Sequence, residues 1–323
     1  MNAILPWCAA LLFASTAAAA EWRVEHVPTS GPVTAVERTG AEVLVTVGRA
    51  WYRFAAERAR LEAWLAIGLP AVPAGALPDA RVAFWTKDVS RVWLAEPTAR
   101  YAHGVLGDAI EAGSLVMELR AGRRTELRLD DDAVFEDIEP RIVRLDGIER
   151  IIVVKSYLDR GSALAVVDPD PARIIAETPP IGRPNAWLNP AGIADFDGDG
   201  AIDIALVRQP HVLGRLELWS WRDGGLAKTA ELADVSNHAI GSRVLGMSAT
   251  ADFDGDGRPD LAVPSLDRRA LRLVAFAPQP RDIARVALPA RIATNIGAVT
   301  RRGRPALIAG LENGDLVLVH DVP

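Results

Sequence analysis

From residue 21 onward the chain is written in short apolar runs of period two, separated by turn residues. Residues 33–54 alternate as VTAVERTGAEVLVTVGRAWYRF, residues 81–94 as RVAFWTKDVSRVWL and residues 113–129 as GSLVMELRAGRRTELRL. Runs of this length and period put alternate side chains on opposite faces of a strand. Four later segments, 140–170, 191–232, 249–276 and 297–320, repeat a fuller pattern of strand, turn, strand, turn, strand. Their aligned positions Asp146, Asp197, Asp254 and Arg302 stand 51, 57 and 48 residues apart, the span of a four-stranded unit. Gly225–Leu232 supplies a fourth strand, because it follows Asp223-Gly224, a strong hairpin signal. One stretch breaks the period. Residues 55–67 set Leu61, Trp64 and Leu65, with Phe54, opposite Glu57, Arg58 and Glu62, which predicts a short amphipathic helical insertion.

The three early segments and the four later ones predict about seven four-stranded units in one all-β domain, residues 21–323. Units of that size are the signature of β-propeller blades. A closed ring is favoured over an open stack, because open stacks leave exposed strand edges that aggregate. The first strand, at residues 22–27, is then expected to pair with the last unit and close the ring.

Composition adds a compartment. Residues 1–20 carry no charged side chain, run through an apolar stretch and end in Ser15-Thr16-Ala17-Ala18-Ala19-Ala20. That is the secretory-signal pattern, with cleavage expected after Ala20 and a periplasmic or secreted destination for the mature chain. An uncleaved anchor and a lipid-modified Cys8 fit less well, since nothing basic flanks the stretch and Pro6-Trp7 precede the cysteine. Cys8 is the single cysteine, so disulfide frameworks, CxxC zinc sites and cysteine nucleophiles are excluded together. No later segment reaches about 18 continuous apolar residues, so no transmembrane segment is expected in the mature chain, and a monomer is expected. A net charge of −6 argues against nucleic-acid partners, which need a basic face.

The acid has an address. Asp195-Phe196-Asp197-Gly198-Asp199-Gly200-Ala201-Ile202-Asp203 and Asp252-Phe253-Asp254-Gly255-Asp256-Gly257-Arg258-Pro259-Asp260 carry a net of −7, leaving +1 on the rest of the chain. Each sets four carboxylates at relative positions 1, 3, 5 and 9, which repel unless a cation joins them. Ca²⁺ accepts about six to eight oxygens at about 2.3–2.6 Å, and glycines let the chain fold back so that the Asp side chains converge. Two structural Ca²⁺ sites are therefore expected. Their ligands are Asp195, Asp197, Asp199 and Asp203, and Asp252, Asp254, Asp256 and Asp260. By analogy with other Asp-rich calcium loops, the backbone carbonyls of Ala201 and Arg258 at position 7 join them. An EF-hand is disfavoured: strands flank the loops and no Glu stands at position 12.

These two loops and the strands after them resemble the FG-GAP or VCBS repeats, which form calcium-binding blades of β-propellers in integrin alpha chains and secreted bacterial proteins. The resemblance is specific over residues 191–276 and weaker elsewhere. It implies a propeller fold, extracytoplasmic calcium and a binding role. The unit at Asp146 keeps only Asp-Gly and the last unit has Arg301-Arg302-Gly303, so neither is expected to hold calcium. Residues 101–108, YAHGVLGD, are also similar to a stretch in a group of bacterial repeat proteins, which adds no mechanism.

Catalytic candidates are thin, and no catalytic residue is assigned. The histidines His26, His103, His211, His238 and His320 are scattered without an H-x-x-x-H pair. His103 and His238 read as turn residues. The acidic run from Asp130 to Glu139 reads as a solvated face, although it could supply carboxylates for glycoside hydrolysis. Trp51, Trp93, Trp219 and Trp221 sit in strand-like runs and read as packing between units. The function expected is a binding or scaffold module for a protein or carbohydrate ligand. A propeller-type polysaccharide lyase or hydrolase with its site in the central channel, and a purely structural envelope protein, are the alternatives.

Overall fold

The structure, a computed structural model, describes residues 21–65, 72–85 and 87–322; the leader expected at residues 1–20 lies outside them. Strand β1 (Glu21–Val27) opens the chain and leaves its own neighbourhood at once. The first complete unit follows as β2 (Val33–Thr39), β3 (Glu42–Val47), β4 (Ala50–Ala55) and β5 (Arg60–Ala63). The second is β6 (Ala83–Phe84), β7 (Val89–Thr98), β8 (Glu111–Leu119) and β9 (Arg124–Arg128). A linking strand β10 (Ala133–Phe135) leads to β11 (Arg141–Leu145), β12 (Ile148–Tyr157), β13 (Gly161–Asp168) and β14 (Arg173–Glu177). Then come β15 (Leu188–Ala194), β16 (Asp203–Arg208), β17 (Arg215–Arg222) and β18 (Gly225–Leu232). The fifth unit is β19 (Ala249–Ala251), β20 (Asp260–Pro264), β21 (Ala270–Ala275) and β22 (Arg281–Ala287). The last is β23 (Ile292–Arg301), β24 (Arg304–Leu311) and β25 (Leu316–Val322), completed by β1.

That last pairing is antiparallel and runs from Glu21 opposite Val322 to Val27 opposite Leu316, the closure the alternation at residues 22–27 had suggested. Within each unit the strands pair in chain order, and β10 pairs with β8 and β12 to join the second and third units into one nine-stranded sheet. The described residues thus hold six four-stranded units, where the sequence spacing had suggested about seven. The reason lies in β7 and β8. Residues 81–94 and 113–129 had been read as separate units, but they pair with each other from Val89 opposite Leu119 to Thr98 opposite Glu111.

The helical insertion is also corrected. Only Ala56–Arg58 is helical, as a single 3₁₀ turn, and residues 66 and 67 of the expected insertion lie outside the described ones. Ala59 adopts φ 47° and reverses the chain, so Phe54 and Leu61 face each other across a hairpin instead of sharing a helix face. Arg53 and Glu62, also opposite, close an ion pair of 2.7 Å on the other side.

Apolar cores fill the spaces between neighbouring sheets. Val36, Val45 and Phe54 of the first unit pack with Ile308 and Leu318 of the last. Leu218 of the fourth packs with Leu261 and Val274 of the fifth, around Phe196. Strands in the middle of a unit are covered on both faces, which is why β12 and β13 read as unbroken apolar runs and are buried throughout Ile151–Val154 and Ala163–Val167. Each buried Val, Leu or Ile among them contributes about 1.5–3 kcal/mol. Outer strands such as β18 and β22 keep polar residues toward solvent. Trp219 and Trp221 are buried in a core shared with the second and third units, Trp93 is buried against Ala95 and Val116 of its own unit instead of between units, and Trp51 is half-buried.

The first strands of successive units lie side by side, β15 by β19 and β19 by β23, with β2 beside β23. They surround a cavity of about 410 Å³ to which all six units contribute, through Glu37, Arg81, Glu139, Ile193, Thr250 and Asn295 among others. The architecture is all-β and propeller-like.

Candidate metal centre

Both Asp loops join the first strand of a unit to the second: 195–203 links β15 to β16, and 252–260 links β19 to β20. The third and sixth units close the same connection with two-residue turns, Asp146-Gly147 at φ 49° and 78° and Arg302-Gly303 at φ 51° and 76°. Asp146 there accepts a hydrogen bond from the Trp221 indole at 2.5 Å.

The two long loops share one internal pattern. Asp195 accepts hydrogen bonds from the backbone N–H of Gly198 and Gly200 at 2.8 and 2.9 Å, and Asp252 accepts from Gly255 and Gly257 at 2.7 and 2.9 Å. Gly198, Gly200, Gly255 and Gly257 hold φ of 77°, 91°, 79° and 88°, a backbone region that glycine enters without steric cost. Phe196 and Phe253 are buried and anchor the loops, Phe196 against Phe276 at 5.1 Å between ring centres and Phe253 against Trp22 at 5.9 Å.

At the far end of each loop an aspartate turns into the protein. Asp203 is fully buried and accepts from Phe196 N–H at 3.0 Å and from the Ser220 hydroxyl. Asp260, also buried, accepts from Phe253 N–H at 2.8 Å. Burial, with Asp254 and Asp256 beside it, pushes the Asp260 carboxyl up to about 7; burial likewise raises that of Asp203.

The structure brings positions 1, 3 and 9 together. One carboxylate oxygen from each of Asp195, Asp197 and Asp203 lies within 4.8 Å of the others, and Asp252, Asp254 and Asp260 repeat the arrangement. Position 5 is not in either group. Asp199 accepts from Ala201 N–H at 2.8 Å and is paired with Arg222; Asp256 accepts from Arg258 N–H at 2.9 Å and is paired with Arg258. The residues fit a hard divalent cation on their own chemistry. Three converging carboxylates, one of them buried, are an all-oxygen donor set whose charge is unbalanced without one.

The axial cavity is the second feature with chemistry in it. The Arg81 guanidinium donates to both oxygens of Glu37 at 2.9 and 3.0 Å and lies 3.7 Å from Glu139. Asn295 donates to Glu37 at 3.3 Å and accepts from Gly246 N–H at 2.9 Å.

Sequence reasoning missed a third polar assembly. Glu136 and Asp137, read as part of a solvated face, are fully buried. Asp137 is paired with Arg141 at 2.5 Å, and Glu136 with His103 at 2.6 Å. His238, read as a turn residue, is buried against Trp187 and His211. Nothing in the spacing could have signalled this, since its members come from five separate connections.

Compared with known families, residues 195–263 match the FG-GAP-like repeat. No curated protein matches the chain. Among solved structures, a crystal structure of BBS1N in complex with ARL6DN, soaked with lead, is similar with a TM-score of 0.46 and 13% identity, covering 93% of this chain and 86% of that one. Another of the same complex, soaked with mercury, gives 0.39 and 13%, covering 87% and 74%.

Proposed function

We propose that this FG-GAP repeat protein is a calcium-stabilised β-propeller that serves as a binding or scaffold module for a protein or glycan in the periplasm or outside the cell. The observation that carries the reading is the duplicated Asp loop, with the same backbone hydrogen bonds and the same three-carboxylate convergence in two adjacent units. Two Ca²⁺ ions would be held by Asp195, Asp197 and Asp203, and by Asp252, Asp254 and Asp260. Asp199 and Asp256 would complete the sites once released from their arginines, with the carbonyls of Ala201 and Arg258. Bound calcium neutralises the loop carboxylates and fixes the turn between the first two strands of each unit. Protein oxygens fill such a site, so its role is structural rather than catalytic.

The binding role rests on the axial cavity. Its volume suits a small ligand or an inserted side chain. Its named carboxylates are both engaged by one guanidinium, Glu37 at 2.9 Å and Glu139 at 3.7 Å from Arg81, which suits recognition better than a lyase or hydrolase needing a free base. The test is thermal unfolding of the mature chain with calcium and with excess EGTA. A ligand bound to the folded state alone adds about 2.7 kcal/mol per site at a hundred times its dissociation constant, so chelation is expected to lower Tm by several degrees. An unchanged Tm across a calcium titration overturns the metal reading. A glycan array and a pull-down with the calcium-loaded protein then identify the ligand class.

A further inference from the structure

The two Asp loops differ only at positions 7 and 8, which are Ala201-Ile202 in the first and Arg258-Pro259 in the second. Arg258 is therefore the one charged residue that distinguishes them.

Its side chain does not stay in its own loop. The guanidinium donates to Asp256, two residues back, at 2.5 Å. The stem crosses to the neighbouring unit and covers Gly198 of the first loop, where a Cβ would stand 2.7 Å from Arg258 Cδ and 3.8 Å from Nη1. Gly255 holds the same position in the second loop, and a Cβ there would meet nothing within 4 Å. So the contact runs one way, from the second loop onto the first. Close packing at the base of both loops fixes it. There β15 lies beside β19, the Ser248 hydroxyl donates to the Ala191 carbonyl at 2.6 Å, and a Cβ on Gly192 would stand 2.9 Å from Thr250 Oγ1.

The counter-charges are unequal as well. In the first loop Arg222 is paired with Asp199 and lies 3.9 Å from Asp197. In the second, Arg258 holds Asp256 and Arg281 holds Asp254 at 3.1 Å. Four carboxylates face one paired guanidinium in the first loop and two in the second. A divalent cation is drawn more strongly to the first.

We propose that Arg258 is a counter-ion shared by the two loops, which makes their calcium sites fill in order, the first loop before the second, and weakens each site once the other is filled. This rests on the calcium reading of both loops. While Asp256 is paired with it, Arg258 presents a neutral ion pair to the first loop. Once Asp256 turns to calcium, the guanidinium is left unpaired against Gly198, with Asp197 and Asp199 on either side. There it competes for the first loop's carboxylates. If calcium already holds those carboxylates, the released guanidinium has no partner to take, so the second loop fills less readily. The two effects are one coupling seen from either site. The backbone carbonyl of Arg258, the position-7 ligand, does not depend on the side chain, so substitution separates the two roles. The coupling concerns affinity alone: a loop that has lost an aspartate leaves the other able to fill. Between the two affinities the protein carries one calcium, in the first loop.

Calcium titration calorimetry reads each site by itself: the first loop in Asp254→Ala, the second in Asp197→Ala. The first loop is expected to bind more tightly. Adding Arg258→Gln to Asp197→Ala is expected to tighten the second loop about fivefold, the scale of one unit charge acting on a divalent ion a side chain's length away in water. Arg258→Lys, which keeps the charge, is expected to restore most of the original affinity, and Arg285→Gln, on the same unit but paired with Asp234, to change nothing. In the protein with both loops intact, Arg258→Gln is expected to bring the two dissociation constants closer together. Equal affinities in the two single-loop variants overturn the proposal, as does a second loop indifferent to Arg258→Gln, and in both cases the calcium reading stands. No calcium uptake by the unaltered protein overturns the calcium reading itself, and the proposal with it.

Discussion

Glu111 shows how much one side chain can hold against its surroundings. It begins β8, is 1% exposed, and neither carboxyl oxygen has a hydrogen-bond partner among the described residues. Burial first, then Glu136, Asp108, Asp79 and Asp137, push its carboxyl up to about 9. In the unfolded chain the same acid titrates near about 4.3. Between those values the folded protein holds a proton that the unfolded chain has released, so stability falls as pH rises through the window and this group costs nothing more above it. Glu111→Gln keeps the shape of the neutral acid without the titration. Melting profiles from pH 5 to 10 at constant calcium are expected to fall less steeply for the variant. Parallel profiles would show that Glu111 finds a partner in solution. Arginines play the complementary part: Arg222 and Arg258 hold the position-5 aspartates, and Arg281 reaches Asp254 at 3.1 Å. A cation entering either loop has to displace guanidinium groups as well as water.

At the level of the element, the two Asp loops are copies held by separate strands, so they are expected to fail separately. Asp254→Ala removes a converging carboxylate from the second loop and leaves the first intact; calorimetry is expected to count one calcium per chain instead of two. Two equal sites in the variant would contradict the assignment. The same loops were the most legible part of the sequence, because spacing alone put four carboxylates, at positions 1, 3, 5 and 9, into one tight turn, three of which converge. The exclusion of position 5 was not legible, since Arg222 approaches Asp199 from a strand 23 residues away. Hairpins with local signals were also readable: Asp223-Gly224 has positive φ at both residues, 53° and 74°, and β18 starts directly after it. The misread elements have a common cause. Leu61 and Trp64 fit a helical spacing only while Ala59 is assumed to be right-handed. The pairing of β7 with β8 was hidden because the loop between them is long and the strands unusually so. His103 meets Glu136, and His211 meets His238, across separate connections, and no local pattern encodes meetings of that kind.

At the level of the whole molecule, closure rests on seven residue pairs between β1 and β25. Removing residues 21–27 leaves β25 as an unpaired edge beside an apolar core containing Val317 and Leu318, and such edges template aggregation. Size-exclusion chromatography is expected to show oligomers, with a lower Tm in the fraction that stays monomeric. A monomeric product with unchanged Tm would mean that the ring holds without its seam. The same seam sets an order of events for synthesis. Partners at opposite ends of the chain close a loop of nearly its full length, at an entropic cost of about 5 kcal/mol by the logarithmic rule. At about 5–20 residues added per second, Glu21 waits several times ten seconds for Val322 to exist. Five units can assemble on a growing chain, but the final sheet cannot. The sheet that closes the ring is therefore incomplete until Leu316–Val322 emerge, and any leader at residues 1–20 has that whole interval in which to be read before the strand beside it is locked.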